Sequence, residues 1–209
     1  MGNQEVFYSF LRQEYPDKAE DLLAIFARYG ELLREFNRIV NLVSRKTPYE
    51  EYWTKHFLDA ILPVKQMDFS GKRLLDVGTG GGLPGIPLAI VNEPEKVILL
   101  DSRFRKMEAV KIIIKKLDLK NCFTLVSRLE NMDREWEDYF DFIVCRSVRI
   151  LPGYPAIFNR LLKPAGRIIL YKGKNVEELE YFPSCSIHDV SHPALGDRKL
   201  IIIDKIRED

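Results

Sequence analysis

The sequence predicts an α/β protein with a doubly wound, mostly parallel sheet, preceded by a helical region and ending in an antiparallel hairpin. After Gly71, short apolar or β-branched segments alternate with helical ones, which is the pattern of parallel strands joined by helices. Before Gly71, apolar residues recur at helical spacing. Near the C-terminus, two strand-like segments follow each other with no helical pattern between them, which indicates an antiparallel pair.

Residues 1–70 are predicted to form a helical region that covers the substrate side. Residues 3–15 form one short helix, and a longer helix follows with Asp17 as its N-cap. Gly30 interrupts the apolar pattern and predicts a bend. A break at residues 45–48 precedes a further helix over residues 49–67.

Residues 71–209 are predicted to form the ligand-binding domain. The helical pattern is clearest over residues 103–117, where apolar side chains share one face. The predicted strands span residues 73–77, 96–100, 122–126, 142–145, 167–171, 187–190 and 199–203. Ligands of such sheets lie beyond the carboxyl ends of the parallel strands. The residues that follow each strand are therefore the first candidates for a site.

The loop after the first strand carries the clearest chemical signal. Asp76 is followed by Gly78, Gly80 and Gly82, so the loop reads D-x-G-x-G-x-G. Glycine lets the backbone approach a ligand where a Cβ would collide. Read from Gly80, the loop also matches the G-x-G-x-x-G pattern of dinucleotide sites, which is weak alone. Those sites hold a pyrophosphate, so the Asp76 carboxylate favours S-adenosylmethionine, whose sulfonium and amino groups are positive.

A second acid follows the next strand. Asp101 lies about 20 residues after the glycines, where an acid binds ribose hydroxyls in nucleotide-binding folds. Both candidate ligands contain ribose, so Asp101 is expected to bind either of them.

Composition excludes several classes of protein. The chain has 209 residues, of which 46% are hydrophobic and 30% charged, as in globular proteins. No apolar run approaches the ~20 residues of a membrane span, and the N-terminus has no signal-peptide pattern, so no membrane partner is expected. Cys122, Cys145 and Cys185 are odd in number and widely spaced, which predicts no disulfide, no metal and a cytoplasmic location. A monomer is favoured.

Charge is distributed unevenly although the net charge is only +1. Residues 142–176 contain seven arginines and lysines and no acid, and residues 103–120 contain seven against two acids. Such clustering predicts a basic face for an anionic polymer. Ordinary solvated helix faces are the alternative, above all for residues 103–117.

Short runs along nearly the whole chain resemble the small-subunit ribosomal RNA guanine-N7 methyltransferases, also called glucose-inhibited division protein B. The most specific run is DVGTGGGLPGIP at residues 76–87. The others are NLVS at 41–44, KHFLDA at 55–60, LDS at 100–102, SR at 127–128, RS at 146–147, KG at 172–173 and PALGDR at 193–198. Two runs depart from the family's pattern: Cys145-Arg146-Ser147 replaces serine-arginine-alanine, and Leu170-Tyr171-Lys172-Gly173 replaces alanine-leucine-lysine-glycine.

The resemblance implies a class I S-adenosylmethionine-dependent methyltransferase with a Rossmann-like sheet, acting on small-subunit ribosomal RNA, in a ribosomal particle. Arg146 would end the fourth strand beside the methyl group. The residues expected to bind the cofactor are Asp76, Gly78, Gly80, Gly82, Leu83, Asp101, Leu129, Glu130 and Arg146.

Methylation of guanine N7 makes unusual demands on an enzyme. N7 presents a lone pair and bears no proton, so no general base is needed, and catalysis comes mainly from orientation. The base must first be unstacked or single-stranded. Arg146 and Lys172 are the candidate catalytic residues, because their donors suit guanine O6 or a nearby phosphate. For Arg146, a phosphate anchor or a surface salt bridge is the alternative.

Other assignments remain open at this point. Cys145 could supply a thiolate for pyrimidine methylation, although a buried strand residue is the simpler interpretation. His56 is structural or touches RNA, and Tyr154 and Tyr171 could stack bases. Two other functions stay possible: a small-molecule methyltransferase whose helical region is a lid, and a non-catalytic ribosome assembly factor. The acid-free basic stretch favours RNA over a small molecule.

Overall fold

The computed structural model describes residues 2–174, 180–182 and 184–205. Six α-helices are present among them: α1 (Asn3–Glu14), α2 (Ala19–Asn37), α3 (Asp59–Ile61), α4 (Gly85–Asn92), α5 (Phe104–Lys116) and α6 (Tyr154–Leu161). The strands described are β1 (Arg73–Val77), β2 (Lys96–Asp101), β3 (Cys122–Val126), β4 (Phe140–Arg146), β5 (Leu162–Lys172), β6 (Ser186–Asp189) and β7 (Lys199–Asp204). No helix in the described part of the chain is long and apolar enough to cross a membrane.

The strands form one sheet in the order β3-β2-β1-β4-β5-β7-β6. Strands β1 to β5 are parallel to one another, whereas β7 runs antiparallel to both β5 and β6. The predicted doubly wound sheet and its C-terminal hairpin are thus confirmed. The parallel order turns back at β1 and β4, so the crevice for a ligand opens at the carboxyl ends of these two strands.

Alternation along the strands gives the sheet two apolar faces. Leu74, Leu99 and Val144 face the side covered by the N-terminal helices, α4 and α5. Leu75, Leu100 and their neighbours face the side covered by α6. Residues of one strand that differ by one position therefore contribute to different clusters.

Two details of the predicted helical region were wrong. Lys18, not Asp17, is the N-cap of α2, and no side chain caps that helix end. Gly30 marks no bend, because α2 continues through it. A Cβ at Gly30 would lie 3.2 Å from Tyr49 Oη and 3.4 Å from the Phe57 ring. The glycine therefore allows close packing of α2 against the next helical segment.

The helix predicted over residues 49–67 is a chain of short helical pieces. A 3-10 turn (Tyr49–Glu51) leads into a π-helical segment (Trp53–Leu58), then α3 and a second 3-10 turn (Leu62–Lys65). Single-turn π segments are frequent at functional sites. This one carries His56 and ends directly before Asp59, so it places both residues at the sheet.

The N-terminal helices share one hydrophobic cluster with the sheet and with α4 and α5. Phe7, Phe26 and Phe57 are completely buried in it, together with Leu74 and Leu99. The division of the chain at residue 70 stays a prediction, and residues 206–209 of its second part lie outside the described residues. Because of this shared core, the helical region is packed in a fixed position against one face of the sheet.

His56, in the π-helical segment of the helical region, is buried and neutral. It is 9% exposed, and its ring lies 4.8 Å from the ring of Tyr52. Within the described residues, its Nε2 has no hydrogen-bond partner. Burial, reinforced by the positive charge of Arg146, lowers the pKa of His56 to about 4.

We expect His56 to make the protein less stable as the pH falls. Below pH about 6.5 the unfolded histidine takes a proton, whereas the folded one stays neutral until about pH 4. Between pH 7 and pH 5 the wild type should lose roughly 2 kcal/mol of unfolding free energy relative to His56→Phe. Urea unfolding of both proteins at the two pH values tests this, since all other titrations are common to them. Equal pH slopes would contradict it.

Candidate active site

The glycine-rich loop follows β1, and hydrogen bonds to Asp76 hold its two ends together. The carboxylate of Asp76 is completely buried. Its Oδ2 accepts hydrogen bonds from Thr79 Oγ1 at 2.6 Å and from the Gly85 amide at 2.8 Å. Asp76 thus ties the end of β1 to the first turn of α4 and determines the path of the loop between them.

The N-terminal region supports this loop from outside. The Tyr29 hydroxyl of α2 donates to the Gly81 carbonyl at 2.8 Å. The Asn37 side chain accepts from the amides of Leu42 and Val43, at 2.8 and 3.1 Å. Leu42 in turn lies against the loop, because a Cβ at Gly80 would be 3.2 Å from its carbonyl oxygen. Residues of α2 and of the NLVS run therefore hold the loop against the sheet.

A first cavity of about 320 Å³ opens at the carboxyl ends of β1, β2 and β3. Asp101 lies at its edge and is held by two backbone amides: Oδ2 accepts from Gly80 at 3.3 Å and Oδ1 from Arg103 at 2.9 Å. The cavity, which we call the first cavity, is lined by Val77, Gly78, Leu100, Asp101, Ser102, Ser127, Arg128, Leu129, Glu130, Val148, Leu151 and Tyr154.

Four of the residues predicted to bind the cofactor line the first cavity: Gly78, Asp101, Leu129 and Glu130. Five others are not among its lining residues. Asp76 is inside the loop, and the space beside Gly82 is filled, since a Cβ there would be 2.3 Å from Ile86 Cδ1. The remaining three are Gly80 against Leu42, Leu83, which is buried, and Arg146, which lines a separate cavity.

A second cavity of about 280 Å³ opens at the carboxyl ends of β4 and β5. Both predicted catalytic residues, Arg146 and Lys172, line it. It is lined by Asp59, Arg146, Ser147, Tyr171, Lys172, Gly173 and Arg198. The second cavity, as we call it, therefore carries three cationic side chains and one carboxylate.

The two cavities share the segment after β4. Arg146 and Ser147 line the second cavity, and Val148 lines the first. Ser147 has φ 58°, an uncommon value for a residue with a side chain. A Cβ at Gly78 would be 2.5 Å from Val148 Cγ2, and φ there is 69°. The segment thus lies directly on the start of the glycine-rich loop, which brings the two cavities together.

Arg146 and Arg198 meet at Asp59. Arg146 Nη1 donates to Asp59 Oδ2 at 3.0 Å and to the His56 carbonyl at 3.3 Å. Arg198 Nε donates to Asp59 Oδ1 at 2.8 Å. Beside them, burial lowers the pKa of Lys172, and the Tyr171 hydroxyl donates to the Ala60 carbonyl at 2.7 Å.

Cys145 has the environment of a packed strand residue. It is 2% exposed, and burial, with the nearby negative charge of Asp76, raises the pKa of its thiol. A thiolate nucleophile needs a lowered pKa, so the simpler interpretation of Cys145 is confirmed. In the described ranges, no group of three or more histidine, cysteine or acidic side chains could hold a metal ion.

Sequence reasoning placed neither Asp59 nor Arg198 in the functional site. Both lie in runs that carry the family resemblance, KHFLDA and PALGDR. Their contact joins positions 139 residues apart, and neither follows a parallel strand. The one available signal was that each of these runs contains a charged residue, one acidic and one basic, which packing alone does not require.

Comparison with known proteins identifies the family. The model of the family described as rRNA small subunit methyltransferase G matches residues 22–192. The protein named ribosomal RNA small subunit methyltransferase G in Lachnoclostridium phytofermentans is 36% identical, over 100% of this chain and 91% of that relative.

Solved structures with the same fold are more distant in sequence. A SAM-dependent methyltransferase from Aquifex aeolicus superposes with a TM-score of 0.60 at 16% identity, covering 74% of this chain and 93% of that one. The M. jannaschii TYW2 protein, solved in complex with AdoMet, gives a TM-score of 0.58 at 14% identity, covering 75% and 77%. The fold is that of class I S-adenosylmethionine-dependent methyltransferases, and the chain belongs to the rRNA small subunit methyltransferase G family.

Proposed function

We propose that this protein transfers the methyl group of S-adenosylmethionine to N7 of a guanine in small-subunit ribosomal RNA. The observation that carries the proposal is the pairing of two cavities across residues 146–148. The first has the carboxylate of Asp101 at its edge, which would bind a ribose, and the second has three cationic side chains. A methyl donor in the first cavity and an RNA nucleotide in the second would meet at this segment.

The first cavity suits S-adenosylmethionine. Asp101 is oriented by the two amides it accepts from, so its carboxylate is available to ribose hydroxyls without reorganisation. Leu129 and Glu130, in the 3-10 turn after β3, would lie against the adenine. Asp76, Gly80, Gly82 and Leu83 would act by shaping the loop that carries Gly78.

The second cavity suits the acceptor-rich edge of guanine or a neighbouring phosphate. Arginine and lysine donors pair with guanine O6 and with phosphate oxygens. N7 needs no deprotonation, so the cavity needs no general base. Arg146 and Lys172 would then hold N7 in line with the methyl–sulfur bond, and orientation supplies the rate enhancement.

The shared core argues against the small-molecule alternative with a helical lid. A lid must move, whereas the N-terminal helices bury aromatic side chains in the same cluster as the sheet. Two developed cavities also favour catalysis over a non-catalytic assembly role. The reaction is expected in the cytoplasm, on a ribosomal particle and by a monomer.

Replacing the ribose-binding carboxylate should weaken cofactor binding. We expect Asp101→Ala to raise the Kd for S-adenosylmethionine roughly tenfold to a hundredfold, because hydrogen bonds to a charged group contribute about 1.5–3 kcal/mol. Calorimetry measures this, with the exposed Asp133 changed to alanine as the matched control. Unchanged affinity, or preferential binding of NAD by the wild type, would contradict the assignment of the first cavity.

Removing a cation of the second cavity should slow methyl transfer without affecting the cofactor. We expect Lys172→Ala to lower kcat/KM on small-subunit rRNA roughly tenfold to a hundredfold, and to leave the Kd for S-adenosylmethionine unchanged. The matched control is Lys174→Ala, whose side chain is 87% exposed. Transfer of a labelled methyl group, located by aniline cleavage at 7-methylguanine, is the measurement. Full activity of the Lys172 variant would show that the target binds elsewhere.

A further inference from the structure

Asp59 is the junction between the N-terminal helical region and the second cavity. We propose that Asp59 is a positioning residue, which holds the guanidinium groups of Arg146 and Arg198 side by side for the target nucleotide. The proposal rests on the proposed function for the identity of that nucleotide. It assigns the N-terminal region a direct part in arranging the reaction.

Each oxygen of the carboxylate serves a different arginine. Oδ2 accepts from Arg146 Nη1 at 3.0 Å, and Oδ1 accepts from Arg198 Nε at 2.8 Å. The Asp59 side chain is 8% exposed, and that of Arg146 is 12% exposed. A buried carboxylate between two guanidinium groups is weakly screened by solvent, so its geometry is strongly constrained.

The backbone around Asp59 is fixed by two further contacts. Arg146 also donates to the carbonyl of His56, and the Tyr171 hydroxyl donates to the carbonyl of Ala60. These partners come from the ends of β4 and β5. The carboxylate therefore cannot shift along the cavity without breaking contacts on both sides of it.

The charge balance explains why two arginines need such a junction. Without a carboxylate between them, the two like charges would repel each other and separate. Asp59 keeps them adjacent before any substrate binds. Each guanidinium has five N–H donors. The contacts to Asp59 use one nitrogen of each, Arg146 Nη1 also donates to the His56 carbonyl, and Arg198 Nη1 donates to the Asp197 carbonyl at 2.9 Å. Both arginines line the cavity, so their other donors can face an anionic or acceptor-rich group.

The test compares Asp59→Asn with a matched control, Asp141→Asn. Asp141 also has two partners, the Arg73 amide at 2.8 Å and Lys163 Nζ at 2.7 Å, but it lies at the opposite end of β4. We expect Asp59→Asn to lower kcat on small-subunit rRNA roughly 10- to 100-fold, the effect of misplacing reacting groups. The KM for rRNA should not rise, because the variant cavity is more positive. The Kd for S-adenosylmethionine should stay within twofold, and Asp141→Asn should keep the wild-type kcat.

A second measurement follows the arginine directly. In the wild type, the nitrogen-15 NMR signal of Arg198 Nε–H should exchange slowly with water, because Asp59 accepts this proton. The signal should be lost to fast exchange in Asp59→Ala, which removes both acceptor oxygens, and persist in Asp141→Asn. If Asp59→Asn does not fold, Arg198→Lys replaces it, since this variant keeps the charge and removes the Nε–H contact. It should show the same loss of kcat.

The outcomes are distinguishable. An unchanged kcat in Asp59→Asn, or in Arg198→Lys if it is the variant used, overturns the positioning role while the proposed function stands. An Arg198 signal that survives in Asp59→Ala does the same. A loss of kcat that Asp141→Asn reproduces would reduce Asp59 to a structural role. If the wild type transfers no methyl group to rRNA, the proposed function fails and this proposal fails with it.

Discussion

The carboxylate of Asp76 has no contact with solvent, and two hydrogen bonds from the next nine residues of the chain determine the path of the glycine-rich loop. Burial raises the pKa of Asp76 to about 6, although the bonds from Thr79 and Gly85 favour the charged form. A Cβ at Gly85 would be 2.8 Å from Asp76 Oδ2, so only glycine can start α4 this close. Gly78 of this loop lines the first cavity, and Val148, next to the residues of the second cavity, packs against the same glycine.

The N-terminal helical region completes what the sheet begins. Tyr29 and Leu42 hold the glycine-rich loop, beside the first cavity. His56 and Asp59 hold Arg146, in the second cavity. A doubly wound sheet by itself only places the residues that follow its strands along one edge. The helical region adds the contacts that orient those residues. It can do so because it shares its core with the sheet and is held in position by it.

Features that depend on periodicity and on strand ends could be predicted from the sequence. The strand order places Asp101, Arg146 and Lys172 at one edge of the sheet, and each of these residues lines a cavity. Contacts across the fold have no such signal. The bond between Asp59 and Arg198 joins the end of a π-helical turn to a loop 139 residues away, and Gly30 serves packing against Phe57, which the pattern of α2 alone does not reveal.

The activity proposed for this protein is methylation of N7 of a guanine in small-subunit ribosomal RNA. Mass mapping of that RNA from cells with and without the gene tests it most directly. We predict that one 7-methylguanine is present in the first sample, is unmodified guanine in the second, and is restored when the gene is returned. Identical methylation in both samples, or loss of a methyl group at another position of the base or on the ribose, would contradict it.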